Sequence, residues 1–171
     1  DPDPPEPTDR GALQTGYLRL FEAMEQPYAP PAESPYKPWY GSRDGGLLGG
    51  PSATDMEQRF EALGAEPPEA YPTDHVALLL EYGALLLEAG EIEQYRDFLT
   101  EHLDWIPALE GMVEDAAAEA PFYRWAVRAL DETLTQLRGE MAVEEPSESM
   151  VEEMQNRIDA TTDPDDRDRG F

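Results

Sequence analysis

Residues 71–90 (YPTDHVALLLEYGALLLEAG) limit the fold more than any other part of the chain. Residues 76–87 carry one charge, Glu81, yet fall short of the roughly 20 apolar residues needed to cross a bilayer. Such a rod must be buried by other elements, so the pattern predicts one central helix. Both of its ends are signalled. Pro72 keeps the preceding residue extended, Thr73 can cap the first free amides, and Asp74 suits the positive helix end. Gly90 can supply the left-handed residue that ends the helix. The remaining charges, Asp74, Glu81 and Glu88, recur every seven residues and fall within about 20° of one another on a helix wheel, which predicts a narrow acidic seam.

Whether the rest of the chain can bury this helix is a question of composition. The 171 residues are 40% hydrophobic, enough for one domain with a core. The formal net charge of -26, from 38 acidic against 12 basic residues, excludes nucleic acid and anionic membrane as partners and favours basic ligands. Lys37 is the sole lysine, and dense carboxylates with scarce lysine point to adaptation to multimolar salt. The absence of cysteine excludes disulfides, thiolate metal sites and cysteine nucleophiles. With no signal peptide and no membrane span in the sequence, a cytoplasmic location is expected. The chain opens on a Pro-rich acidic stretch without methionine, as the later part of a longer protein would.

In chain order, residues 1–9 read as a disordered acidic linker. Leu13, Tyr17, Leu20, Phe21 and Met24 have the spacing of a helix with one buried face, ending before Pro27. Residues 26–51 hold six prolines, several glycines and four aromatics, Tyr28, Tyr36, Trp39 and Tyr40, which predicts an ordered loop. Thr54 and Glu57 form a capping box for a short helix through Met56, Phe60 and Leu63, closed by Gly64. A fourth helix follows Gly90 through Ile92, Tyr95, Phe98, Leu99 and Leu103. Asp104 can cap a fifth, carrying Trp105, Ile106, Leu109, Met112, Val113 and Ala116. Pro121 opens a sixth whose face runs through Phe122, Trp125, Ala126, Ala129, Leu130, Thr133, Leu134 and Leu137. Residues 147–159 read as a weak acidic helix. The expectation is an all-α fold, a single bundle of about six helices over residues 10–143, with residues 144–171 an acidic C-terminal helix and tail. No segment alternates with period two over a useful length.

Sites are few. His75 and His102 have no companions at metal-ligand spacing, so no metal or other cofactor is expected. The glycines of residues 41–50 lack the phosphate-loop pattern and any preceding strand, and read as turns. Asp74 and His75 could serve a small helical enzyme or a nucleotide-binding protein, but neighbouring helical residues point about 100° apart. The competing reading is a pocket for an arginine-bearing peptide, with the acidic seam offering carboxylates to guanidinium groups.

Several segments in the right order resemble the TorD/DmsD/NarJ family of molybdoenzyme maturation chaperones. Tyr71, Pro72, Asp74 and His75 are similar to its Pro-x-Asp-His signature, with Tyr71 where glutamate is usual. Tyr17 to Phe21, PPAESPY from Pro30 to Tyr36, GGLLGGPS, FEALG, FLTEHL from Phe98 to Leu103 with Trp105, and Phe122 with Tyr123 match further family positions across residues 13–138. Ala32 stands where the family often has a large aromatic. The resemblance implies an all-helical TorD-like fold, here lacking the family's N-terminal helices, and a non-enzymatic role. The implied partner is a molybdopterin-containing oxidoreductase catalytic subunit, bound through its twin-arginine leader peptide and held until its cofactor is loaded. Homodimers by helix exchange occur in such families. The implied peptide-binding residues are Pro31, Ser34 and Tyr36 from the loop and Pro72, Asp74 and His75 from the signature, to which chemistry adds Trp39 and Glu81.

Overall fold

Helices make up all the regular structure in the computed structural model among its described residues, which are 5, 9–22, 28–38, 49–115 and 120–162. The first, α1 (Arg10–Tyr17), starts at Asp9, whose carboxylate accepts the Ala12 amide at 2.7 Å. It runs into a π-helical turn, Leu18–Glu22, that buries Leu20 and Phe21. A single 3-10 turn, Ser34–Tyr36, lies inside the Pro-rich loop. Then come α2 (Pro51–Ala62), α3 (Val76–Glu88), α4 (Ile92–Glu101), α5 (Ile106–Asp115), α6 (Pro121–Met141) and α7 (Glu148–Thr162).

The central rod is α3, with Leu78, Leu79, Tyr82, Gly83 and Leu86 buried. It ends at Gly90, whose φ of +75° is the left-handed value that glycine adopts at low cost. Its start differs from expectation. His75 is the N-cap, its Nδ1 accepting the Ala77 amide at 3.2 Å, while Thr73 instead donates to the Ala53 carbonyl at 2.7 Å. Asp74 therefore precedes the helix and shares no helical register with Glu81 and Glu88, so the acidic seam has two members. The capping box at Thr54 is likewise unused, because Pro51 already fits the first turn of α2 behind Gly50.

Packing follows from small side chains at close approaches. At Gly83 a Cβ would lie 3.0 Å from the Tyr95 ring, so the missing side chain lets α4 press on α3. The α5 helix packs against both α6 and α7, and Trp105, Ile106, Ala108, Leu109 and Val113 are buried there. On α6 the fully buried positions are Val127, Leu134 and Arg138, while Thr133 is exposed, so the buried stripe is rotated from the expected one. The rotation arises because α6 touches α1, α4 and α5 along its length and is half-buried on several sides. Tyr123, outside the expected face, closes an edge-on cluster with Tyr17 and Phe21 and donates to the Leu13 carbonyl at 3.1 Å. In α7, Met154 and Ile158 join the same core cluster as the other helices. No helix among the described residues is long and apolar enough to cross a membrane.

Candidate partner-binding site

Two loops meet at the N-terminal end of α3, and the backbone joins them first. The Val76 amide donates to the Pro31 carbonyl at 2.9 Å and the Glu33 amide to the Asp74 carbonyl at 3.1 Å, with Ala32 and His75 forming an isolated antiparallel bridge. Pro30, Pro31 and Pro72 keep both segments extended, the conformation this pairing needs.

Side chains complete the joint. Asp74 is fully buried, and its Oδ2 accepts the Ser34 amide at 2.7 Å together with a short bond from the Ser34 hydroxyl. The same hydroxyl accepts the Gly50 amide at 3.2 Å, which ties in the start of α2. Asp74 thus holds three chain segments together. Burial pushes its carboxyl above the usual range, and the bonds from Ser34 oppose that. Tyr36 is also fully buried and stacks on Trp105 with ring centroids 4.9 Å apart. Arg157 of α7 donates to the Tyr36 carbonyl at 2.9 Å, so the C-terminal helix holds the loop from behind.

Beneath the loop runs a chain of charges. Glu33, only 1% exposed, meets His102 Nδ1 at 2.8 Å, and His102 Nε2 meets Asp55 at 2.9 Å. Arg59 donates to Asp55 at 2.5 Å and lies 5.7 Å from the centroids of Tyr82 and Phe98. Lys37 pairs with Glu33 and Asp104, and Ser52 donates to Glu33 at 3.0 Å. Burial pulls the His102 pKa down, but the bond and charge of Glu33, helped by Asp55, outweigh it and set the value above 6.5. Burial pushes Glu33 upward despite His102, Lys37 and Ser52. This arrangement anchors the Pro-rich loop to α2 and to the end of α4.

Of the expected site residues, Ser34, Tyr36, Asp74 and His75 come together at the joint but face inward, and Pro31 and Pro72 are half-buried beside them. Asp74 and His75 address different partners, Ser34 and the α3 amides. Burial lowers the His75 pKa, which keeps the ring neutral at pH 7. Trp39 lies outside the described residues. Glu81 is exposed on the outer stripe of α3, which comprises Ala77, Glu81, Ala84, Leu85 and Glu88. Leu85 is 42% exposed there, and Tyr71 is 46% exposed with its ring 4.6 Å from that of His75. The surface is apolar with two carboxylates set seven residues, about 10 Å, apart along the helix. Among the described residues no group of three or more acidic, His or Cys side chains is placed to hold a metal ion.

The residues that sequence reasoning missed are the anchors. Glu33, Asp55, Arg59 and Arg157 reach partners across the fold, Glu33 across 69 residues. Their only signal was position: Glu33 lies inside PPAESPY and His102 inside FLTEHL, the segments that carried the resemblance.

No curated protein and no solved structure matches the chain. Residues 4–110 do match a family, described as nitrate reductase delta subunit, and that stretch includes both loops, the charge chain and α3. With more than half its length so matched, and with an all-helical fold, the chain belongs to the nitrate reductase delta subunit family of redox-enzyme maturation chaperones.

Proposed function

We propose that this chain is a cytoplasmic chaperone for the catalytic subunit of a molybdopterin-containing oxidoreductase, that it binds the subunit's twin-arginine leader, and that it retains the subunit until its cofactor is in place. The observation that carries this reading is the outer stripe of α3. On a chain of net charge -26 its exposed face is apolar except for Glu81 and Glu88. A leader has adjacent arginines followed by an apolar stretch, and this stripe has the complementary chemistry. In this reading Glu81 and Glu88 take the guanidinium groups, and Leu85, Ala84 and Tyr71 take the apolar part. Pro31, Ser34, Tyr36, Pro72, Asp74 and His75 act from behind, holding the end of α3 and the Pro-rich loop in place. Such preorganisation raises affinity by reducing the ordering cost of binding.

The test is calorimetric titration of the chain with a twin-arginine leader peptide and a twin-lysine control, in molar salt to screen nonspecific attraction. Glu81→Gln should weaken the arginine peptide about tenfold, the loss of one charge-assisted bond, whereas the remote Glu148→Gln should not. Equal affinity for the two peptides, or equal effects of the two substitutions, would refute the reading.

A further inference from the structure

The last helix, α7, lies beyond residue 110, outside the stretch that identifies the family, and it occupies a seat of definite chemistry. The seat is formed by α5 and the 3-10 turn of the Pro-rich loop. Met154 and Ile158, four residues apart on one face of α7, are buried in it. Between them, Arg157 donates to the Tyr36 carbonyl at 2.9 Å. Gln155 reaches over Gly111, where a Cβ would collide with its amide group, so glycine on α5 lets α7 come close. The seat therefore accepts a helix with two apolar residues one turn apart and an arginine just before the second.

Only the C-terminal half of α7 has this match. Earlier on the helix, Glu148 and Glu152 line a cleft of about 300 Å³ together with Asp131 of α6 and Glu145 of the α6–α7 connection. Both glutamates of α7 are exposed, as is Glu145, so carboxylates oppose one another across the cleft. The cation in the lining, Arg138, is itself buried and donates to the Leu103 carbonyl. Thus α7 is anchored along its second half and repelled along its first. It hangs on residues 143–147, which follow Ala142 at a φ of +53°, a left-handed value that costs a residue with a side chain.

We infer that α7 is an exchangeable occupant of this seat, which receives a basic amphipathic helix of the retained catalytic subunit. The identity of that partner rests on the function proposed above, while the surface is distinct from the α3 stripe. Charge complementarity names the chemistry. Lysine or arginine at the places of Glu148 and Glu152 turns repulsion from Asp131 and Glu145 into attraction, while the apolar pair and the arginine are kept. The tether gives α7 an effective concentration on the order of millimolar, so a partner must fit better than α7 to displace it. Opposite charge at the two mismatched places supplies that better fit.

The probe is a synthetic peptide of residues 148–162 carrying Glu148→Lys and Glu152→Lys. It is titrated into the full chain in molar salt, beside the unaltered α7 sequence and a scrambled basic control. The basic peptide should saturate one site and bind about tenfold more tightly than the unaltered sequence. In the chain, Ile158→Ala weakens the tethered helix and should tighten the peptide about tenfold or more. Arg157→Ala, at a partly exposed position and gentler on the fold, should tighten it a few-fold. The chain has no cysteine, so Gly111→Cys with Gln155→Cys can lock α7 in place through a single disulfide. The oxidised chain should exclude the peptide, and reduction should restore binding. No saturable heat with any of these chains, undiminished binding by the locked chain, or equal binding of the scrambled control would overturn the proposal. The unaltered sequence binding as tightly as the basic one would assign the seat to a second copy of this chain and also overturn it. None of these readouts uses the leader, so a chain that takes the basic helix but not the leader refutes the function proposed above and leaves the seat standing.

Discussion

His102 is the residue whose surroundings set the clearest requirement on solution conditions. It lies between Glu33 and Asp55, and its pKa in the fold is raised above 6.5. A base whose folded value is raised stabilises the fold fully below its unfolded value and loses that contribution as pH rises through the folded value. Stability should therefore fall as pH rises above about 6.5. The raised carboxyls of Glu33 and Asp74 start from 4.5 and 3.8, and the lowered His75 acts as pH falls below 6.5. Urea midpoints measured between pH 6.5 and 9 should decline for the parent chain and stay flat for His102→Gln; parallel curves would show that the ion-pair chain does not govern stability. Asp74 makes a second prediction at this scale. Asp74→Ala leaves the Ser34 amide and hydroxyl without their buried acceptor and should cost about 1–3 kcal/mol of unfolding free energy, read from urea denaturation. It should also weaken the leader peptide, through loosening of the Pro-rich loop rather than loss of a direct contact.

At the scale of elements, α3 and α7 show what a sequence discloses. The length of α3 and its stop at Gly90 were legible because an apolar run and a left-handed glycine are local signals. Its cap was not, since a histidine ring as N-cap is uncommon and Thr73, the better cap by type, is drawn away to Ala53. The weak reading of α7 has a similar cause: its buried stripe is Met154 and Ile158 with the half-buried Val151, too short to stand out among carboxylates. The joint between the two loops of the candidate site was legible only as a set of positions, because Asp74 and Ser34 are 40 residues apart and no periodicity links them. Two substitutions test the packing. Ile158→Ala removes a fully buried side chain and should cost about 2–5 kcal/mol, with Met150→Ala, at a 44% exposed position, nearly silent. Equal small effects would show α7 to be a loose appendage. Gly83→Ala should destabilise by about 1 kcal/mol despite the better helix propensity of alanine. The new Cβ would stand 3.0 Å from a Tyr95 ring that is itself buried and has little room to give.

For the whole molecule, charge decides. With a net charge of -26, the folded chain concentrates carboxylates that the unfolded chain would spread apart, and this self-repulsion opposes compaction. Several of the described cations are already engaged, Arg59 with Asp55, Arg124 with Glu114 and Arg157 with Glu153, so they relieve repulsion locally and leave most of the surface uncompensated. Mobile ions must supply the rest. At 1 M salt the screening length shrinks to roughly 3 Å, shorter than the spacing of most surface carboxylates, and the repulsive part of the folding free energy largely disappears. The thermal midpoint followed by circular dichroism should therefore climb steeply from low salt and continue to rise into the molar range. Potassium chloride serves better than sulfate, because sulfate also strengthens apolar burial and would mix two effects. A midpoint that is flat or falls with potassium chloride would show that the acidic surface is not what limits the fold. A steep rise would mean that leader binding has to be judged at the same salt, where only carboxylates in direct contact, such as Glu81 and Glu88 on the proposed α3 stripe, still discriminate between peptides.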